Sequence, residues 1–238
     1  MTSSSEARFI SFEGLDGCGK TTQIKKLGAY LAQSRIPHAL THEPGGTALG
    51  GALRRILKDP RSVYRAFNGV FAGHPDFQTL NEDEQRFSAS ELLLFLAARA
   101  EFVAQVVQPH LEQDVSVLTD RCHDSTEAYQ GGGLYNHNSS VLTFLNAAHE
   151  FVFHRARKPD LTFLLDIDHA TMLARSSEAK LDFIEQRGEE YFKRVREAYL
   201  AIARREPSRV VVIDGTHSID DIFSGHIVPR IRTLYRLG

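Results

Sequence analysis

The sequence predicts a three-layer α/β domain, in which helices cover both faces of a parallel sheet. Five short apolar segments alternate with segments of helical periodicity along the 238 residues. Short connections and right-handed crossovers then place successive strands in parallel. No composition shift, internal repeat or low-complexity stretch divides the chain. We therefore expect one domain over residues 1–238.

Composition excludes several classes of protein. With 42% hydrophobic and 24% charged residues, the chain is expected to form an ordinary globular core. The net charge is −2 and basic residues are scattered, which argues against a nucleic-acid surface. The longest apolar run, residues 92–98, is too short to span a bilayer. Cys18 and Cys122 form no disulfide framework, and residues 1–7 lack a signal-peptide core, so we expect a cytoplasmic protein.

A strand, a glycine-rich loop and a helix open the chain. The apolar residues 9–12 predict a buried strand, and residues 14–21 read GLDGCGKT, a full G-x-x-x-x-G-K-[ST] match. Helical spacing follows over residues 22–33. In such loops backbone N–H groups and the helix N-terminus hold phosphates, the lysine reaches the β- and γ-phosphates, and the threonine hydroxyl meets Mg²⁺. The expected nucleotide-binding residues of the loop are Gly14, Leu15, Asp16, Gly17, Cys18, Gly19, Lys20, Thr21 and Thr22.

The loop alone does not separate a kinase from a GTPase or a motor. No Asn-Lys-x-Asp motif is present, which argues against a GTPase. A second strand is expected to end at residues 39–41, before the tight loop EPGGT at 43–47. A helix carrying Arg54 follows. Residues 58–88 combine glycines, prolines and aromatic residues, and we interpret them as an elaborated loop that packs some of its aromatic rings.

The second half continues the alternation. Residues 90–113 predict one long helix. Its first part is apolar on nearly every side, so we expect it to be covered both by the core and by either a substrate or a second subunit. A strand over 115–118 ends at Asp120, a carboxylate well placed for a loop-bound metal. Three glycines at 131–133 predict a helix end and a flexible turn. The remaining expectations are helices over 139–153, 169–175 (N-capped by Asp168), 184–204 and 219–234, strands over 159–166 and 210–213, and a lid at about 176–183.

Six motifs in one order carry a resemblance to a known family. They read FEGLDGCGKTTQ, EPGGT followed by Arg54, LLLFLAAR, TDRCHDSTEAYQGGG, KPDLTFLLD, and LDFIEQ followed by YFKRVREAYL. Together they span residues 9–199 and resemble the thymidylate kinases, P-loop nucleoside-monophosphate kinases. The resemblance implies a P-loop kinase fold with a five-stranded parallel sheet flanked by helices, and a homodimer. It implies transfer of the ATP γ-phosphoryl group to dTMP in dTTP synthesis, giving dTDP and ADP, with Mg²⁺.

The resemblance also implies a role for each matching residue. The catalytic set is Lys20, Asp16, Arg121 and Arg54, the Mg²⁺ ligands are Thr21 and Asp120, and Arg175 packs beside adenine. Phe95 stacks on thymine, Arg99 on the same helix face hydrogen-bonds the base, and Tyr129 closes over the sugar 2′ position. The full dTMP set is Asp16, Phe95, Arg99, Arg121, Thr126, Tyr129, Gln130 and Arg54. Judged without the family, Phe95 reads as a core residue, Arg99 as a solvated or paired charge and Asp120–Arg121 as a structural ion pair.

Four positions depart from the family pattern: Cys122 follows Asp-Arg, His42 precedes EPGGT, Phe183 follows Leu-Asp, and the lid contains Glu178. The lid's one basic residue is Lys180, and the phosphate loop has no arginine. Family members without an arginine in the phosphate loop usually provide one from the lid. Lys180, Arg175 or Arg187 would have to substitute here, or turnover is low.

Two alternatives remain open at the level of sequence. One is a related kinase that acts on a deoxynucleoside or on a different monophosphate. Phe95 with Arg99 favours a pyrimidine, and Arg54 with Arg121 favours an acceptor that carries a phosphate. The other is a degenerate homologue that binds nucleotide without turnover, for which the thin lid is the only support.

Overall fold

The computed structural model describes residues 6–74, 87–176 and 182–237. Within them, five strands form one sheet in the order β2-β3-β1-β4-β5, and every pairing is parallel. The strands are β1 (Phe9–Glu13), β2 (His38–His42), β3 (Ser116–Asp120), β4 (Leu161–Asp166) and β5 (Val210–Asp214). The predicted α/β fold with a five-stranded parallel sheet flanked by helices is confirmed.

The buried central strand β1 sets the position of the site. It pairs with β3 in the register Phe12↔Asp120 and with β4 in the register Glu13↔Leu164. All five of its residues are buried, as expected for a parallel strand covered on both faces. The carboxyl ends of the strands therefore meet at one edge, where parallel sheets place their ligands.

Helices connect the strands. The α-helices are α1 (Lys20–Gln33), α2 (Ala48–Lys58), α3 (Pro60–Phe71), α4 (Ser88–Phe102), α5 (Gln108–Glu112), α6 (His123–Thr126), α7 (Ser139–Val152), α8 (His169–Ser176), α9 (Glu189–Arg205), α10 (Ile219–Asp221) and α11 (Val228–Tyr235). Wider π-helical turns occupy Val103–Val107, Glu127–Leu134 and Ile222–Ile227, and a 3₁₀ turn occupies Glu185–Arg187. The expected long helix over 90–113 is thus α4 and α5 joined through a π turn. None of the helices in the described ranges is long and apolar enough to cross a membrane.

The prediction of an elaborated loop over 58–88 was wrong for residues 60–71, which form α3. Pro60 stands in the first turn of α3, where an N–H group would have no hydrogen-bond partner within the helix, so proline is tolerated there. The Asp59 carboxylate accepts a hydrogen bond from the Ser62 N–H at 3.2 Å and caps the helix. Phe67 and Phe71 stack with centroids 5.6 Å apart. Residues 75–86 lie outside the described ranges.

The prediction that the three glycines end a helix was also wrong. They lie inside the π-helical turn Glu127–Leu134 and are buried. A Cβ on Gly132 would come within 2.6 Å of the Ala198 Cβ, and one on Gly133 within 2.4 Å of the Tyr191 ring. Glycine is needed here because α9 packs directly on this backbone, not because the chain turns.

Candidate active site

A cavity of about 440 Å³ opens at the carboxyl edge of the sheet. It brings together nine of the predicted site residues: Asp16, Thr21, Arg54, Phe95, Asp120, Arg121, Thr126, Tyr129 and Gln130. Its other lining residues are Ile24, Lys25, Leu40, Thr41, His42, Glu43, Pro44, Lys58, Ser125, Asp182 and Ile184. Residues from widely separated parts of the chain therefore converge on one space.

The phosphate loop has the geometry that its glycines allow. Gly14, Gly17 and Gly19 all have positive φ angles (130°, 75° and 102°), which side chains rarely permit. A Cβ on Gly14 would lie 2.4 Å from the Leu165 carbonyl oxygen. Helix α1 begins at Lys20, so its N-terminal N–H groups and positive dipole end face the loop. The loop and helix form a phosphate cradle.

The Lys20 ammonium lies against this loop. It donates to the carbonyl oxygens of Leu15 at 2.9 Å and Gly14 at 3.3 Å, and is buried. The Cys18 sulfur is 3.7 Å away, and burial raises the pKa of that thiol. Cys18 is therefore held as a neutral packing group in the loop.

Thr21 and Asp120 form an oxygen pair beside the loop. The Thr21 hydroxyl donates to the Asp120 carboxylate at 2.9 Å, joining the first turn of α1 to the end of β3. Hydroxyl and carboxylate oxygens suit Mg²⁺, which takes few protein ligands and completes its shell with substrate phosphates and water. No cluster of three or more His, Cys, Asp or Glu side chains suited to a metal occurs in the described part of the chain. The pair fits a magnesium ion that is bound together with a nucleotide.

Arg121 connects the loop to the acceptor side of the cavity. Its guanidinium donates to Asp16 at 2.9 Å and to the Tyr129 hydroxyl at 3.1 Å, and lies 4.9 Å from the Tyr129 ring centroid. It also reaches Ser125 and Tyr199 at 3.2 and 3.3 Å. Burial opposes ionisation of Asp16, but the charges of Arg121, Lys20 and Lys58 outweigh it and lower the Asp16 pKa. Asp16 is therefore ionised at neutral pH.

Arg99 does not line the cavity. It is only 2% exposed, and it donates to Glu43 at 2.8 Å, to the Cys122 carbonyl at 2.9 Å and to the Thr126 hydroxyl. Thr126 does line the cavity, so Arg99 lies one side chain below the surface. Its partner Glu43 was missed by sequence reasoning, although it is the acid of the EPGGT motif that was singled out.

Helix α4 provides the aromatic wall. Phe95 is partly buried and lines the cavity, while Glu91, one turn earlier, is buried. The Glu91 carboxylate accepts from the Gln130 amide at 3.0 Å and from Arg187 at 3.0 Å. Glu91 was not predicted, because one acid on an apolar helix gives no sign of its partners. Arg187, one candidate to replace a lid arginine, is engaged in this network.

Glu13 is a second missed residue. This carboxyl at the end of β1 is fully buried and accepts from the Cys122 N–H at 2.7 Å, from the Tyr199 hydroxyl at 2.9 Å and from Ser125. Burial, with a smaller effect of Asp124, raises its pKa to about 7, although the hydrogen bonds from Ser125 and Cys122 and the charge of Arg121 act in the other direction. Ser125 and Tyr199 also contact Arg121, so Glu13 lies in a layer of buried polar groups beneath that arginine, which we call the floor.

The remaining predicted residues lie around the cavity. Arg175, near the end of α8, donates to the carbonyls of Gly215 at 2.9 Å and Gly17 at 3.3 Å, beside the phosphate loop. His42 lines the cavity near Arg54, and burial and that arginine lower its pKa. Residues 177–181 of the predicted lid at about 176–183, which include Glu178 and Lys180, lie outside the described residues.

Comparisons with known proteins agree with this geometry. The family model described as "Thymidylate kinase" matches residues 12–72 and 77–225. The thymidylate kinase of Symbiobacterium thermophilum is 38% identical over 216 residues, which cover 90% of this chain and 88% of the relative. That of Kosmotoga olearia is 36% identical over 231 residues, covering 97% and 98%. The crystal structure of thymidylate kinase from Ehrlichia chaffeensis has a TM-score of 0.63 at 30% identity, covering 94% of this chain and 98% of that one. The chain belongs to the thymidylate kinase family.

Proposed function

We propose that the chain is an ATP-dependent dTMP kinase that transfers the γ-phosphoryl group of ATP to dTMP, giving dTDP and ADP, for dTTP synthesis. Family membership supports the activity. The observation that carries it is Arg121, which touches Asp16 of the phosphate loop and Tyr129 of the acceptor wall within one cavity. A group held by Arg121 therefore lies next to the donor phosphates.

On the donor side, the residues 14–22 hold the phosphates of ATP through backbone N–H groups and Lys20. Arg175, fixed on the Gly17 and Gly215 carbonyls, packs beside adenine. Thr21 and Asp120 would hold Mg²⁺, which would supply positive charge to neutralise the phosphates.

On the acceptor side, Phe95 stacks on thymine, and Thr126 and Gln130 contact the nucleotide. Arg99 acts on the base side through Thr126, whose hydroxyl it holds. Tyr129, fixed by Arg121, closes over the sugar. Arg121 and Arg54 bind the acceptor phosphate, and the Asp16 carboxylate orients Arg121.

In the chemical step, an oxygen of the dTMP phosphate attacks the γ-phosphorus of ATP. The bond from that phosphorus to the β–γ bridging oxygen breaks, and ADP leaves with the electron pair. The acceptor phosphate has a second pKa of about 6, so at neutral pH it is largely a dianion and needs no strong base. The protein's task is to align the two phosphates and neutralise their charge, which Lys20, Arg121 and Arg54 do.

We further propose a single domain, a cytoplasmic location and a homodimer. The single domain is supported by the one contiguous sheet, and the cytoplasmic location by two buried free thiols. The homodimer is supported by exposed apolar side chains on neighbouring helices: Leu93 on α4 is 54% exposed and Phe144 on α7 is 46% exposed. Light scattering coupled to size exclusion tests the dimer, since a monomer mass at micromolar concentration would contradict it.

The activity is tested by measuring ADP release with MgATP and equal concentrations of dTMP, dUMP, UMP, dCMP or thymidine. We expect turnover to be fastest with dTMP and absent with thymidine, which lacks the acceptor phosphate. A faster reaction with another monophosphate would replace dTMP as the substrate. Nucleotide binding without turnover of any acceptor would instead indicate a degenerate homologue.

A further inference from the structure

Helix α2 presents two cationic side chains to the cavity. Arg54 and Lys58 are four residues apart, hence on one helix face, and both line the cavity. Arg54 donates to the Pro44 carbonyl at 3.1 Å. Arg55, between them in sequence, is exposed and does not line the cavity. The face of α2 that meets the substrate space therefore carries a second positive charge besides Arg54.

The position of the Lys58 ammonium is well defined. It lies 2.6 Å from the Asp182 carboxylate, with the two side chains 30% and 17% exposed. The other Asp182 oxygen accepts from the N–H groups of Ile184 at 2.8 Å and Glu185 at 3.0 Å, so the carboxylate is itself fixed. The Phe183 N–H donates to the Lys58 carbonyl at 3.2 Å. Asp182 thus holds the ammonium at the cavity wall.

Lys58 belongs to the same charge cluster as Arg121. Its charge contributes to the lowered pKa of Asp16, and Asp16 is the carboxylate that binds the Arg121 guanidinium. An anion that reaches Arg121 is therefore within the field of Lys58 as well. The residues 17 and 18 of the phosphate loop are Gly and Cys, so the loop adds no arginine to this cluster.

We propose that Lys58 is a further phosphate-binding residue of the acceptor site, whose ammonium passes from the Asp182 carboxylate to the phosphate of the acceptor nucleotide. This inference rests on the proposed function. A partly exposed ion pair is weak, so exchanging a singly charged carboxylate for a phosphate dianion is favourable. Lysine suits this exchange, since its ammonium is a point charge on a flexible stem and not a bidentate fork.

The test compares binding of dTMP and thymidine, which differ by the phosphate alone, by calorimetry on the full chain. Lys58→Met keeps an unbranched side chain of nearly the same length and removes its charge. We expect it to weaken dTMP binding about tenfold and to leave thymidine binding unchanged. Lys58→Arg restores a positive charge and is expected to recover most of the dTMP affinity.

Arg55→Met is the matched control. Arg55 and Lys58 both lie in the last turn of α2, so both variants remove one cation from the same helix end. We expect Arg55→Met to bind both ligands as wild type does. Equal dTMP affinity in Lys58→Met and wild type would overturn the inference, as would parallel losses for dTMP and thymidine. A wild-type chain that binds no dTMP would instead overturn the proposed function.

Discussion

The two halves of the cavity use positive charge differently. We call the part of the cavity around Arg121 and Lys58 the phosphate half, and the part around Phe95 and Thr126, with the groups beneath it, the base half. In the phosphate half, the Arg121 guanidinium and the Lys58 ammonium line the cavity and pair with partly exposed carboxylates. In the base half, the Arg99 guanidinium lies beneath the surface, 2% exposed, and pairs with a Glu43 carboxylate that is also 2% exposed. The first half keeps cations at the surface for a ligand, whereas the second uses its cation to hold the protein together.

The difference follows from the cost of burying charge. A buried arginine is tolerated only where its donors are matched, and the carboxylate, carbonyl and hydroxyl partners of Arg99 match them. In the function proposed above, Arg99 acts on the nucleotide through Thr126, whose hydroxyl accepts a hydrogen bond from it. Arg121, in contrast, can exchange part of its contacts for phosphate oxygens. Removing the arginine should therefore have a different effect in each half, with stability lost for Arg99 and turnover lost for Arg121.

The largest expected effect is on stability, from Arg99→Met. The substitution leaves the Glu43 carboxylate buried without its cation, so we expect the free energy of unfolding to fall by about 3–5 kcal/mol. Urea unfolding followed by circular dichroism measures this loss. Burial already raises the Glu43 pKa despite the charge of Arg99, so adding Glu43→Gln should recover part of the stability.

The control for Arg99 is an Arg–Glu pair at the protein surface. Arg205 donates to both oxygens of Glu127 at 2.7 and 2.8 Å, but its side chain is 51% exposed. Arg205→Met should cost less than about 1 kcal/mol. Losses of equal size in the two variants would show that burial does not distinguish these pairs, and the comparison of the two halves would fail.

The next effect is on turnover, from Arg121→Ala. We expect the fold to be retained and kcat with dTMP to fall by about 10²–10³, because a charge that stabilises the transferring phosphoryl group is removed. Steady-state kinetics measures this, with circular dichroism to verify the fold. Arg205→Ala, outside the cavity, serves as the activity control. Turnover near the wild-type value would refute the role assigned to Arg121.

The phosphate half could be predicted because its residues are contiguous or stand at strand ends. Gly14 to Thr22 form one motif, and Asp120 and Arg121 close an apolar strand. Their places follow from backbone rules for loops, helix N-termini and parallel strands. The same rules explain why the five strands and their parallel direction were predicted correctly.

The base half could not be predicted in this way, because it depends on contacts between distant residues. Arg99 meets Glu43 across 56 positions, and Gln130 meets Glu91 across 39. Local patterns also gave two wrong predictions. The glycines at 131–133 are required by the close packing of α9 and not by a turn, and Pro60 begins α3 where a loop was expected. In each case tertiary contacts or capping outweighed the local signal.

A smaller effect tests the base half directly. Phe95→Ala should raise the KM for dTMP roughly 10- to 100-fold, since base–aromatic stacking is worth about 1–3 kcal/mol, and leave the KM for ATP unchanged. Phe87→Ala is the matched control, because this phenylalanine stands just before the same helix, is 79% exposed and does not line the cavity. Similar changes in the KM for both substrates would mean that Phe95 supports the fold and does not stack on the base.

The smallest effect concerns the floor beneath the phosphate half. Glu13 has a pKa of about 7 in the folded chain against an ordinary value of 4.5, so between these values the folded state binds more protons than the unfolded state. The stability that Glu13 contributes is therefore present below about pH 4.5 and is lost as the pH rises through about 7. Glu13→Gln cannot ionise and escapes this loss.

We expect the unfolding free energy of Glu13→Gln, relative to wild type, to rise by about 1–2 kcal/mol between pH 5 and pH 6.5. Urea unfolding at four pH values across this range measures the difference. A flat difference would mean that Glu13 is ionised at neutral pH, held by the N–H of Cys122 and the hydroxyls of Ser125 and Tyr199. The floor would then carry a buried negative charge beneath Arg121, and the phosphate half would resemble the base half in holding a buried ion pair.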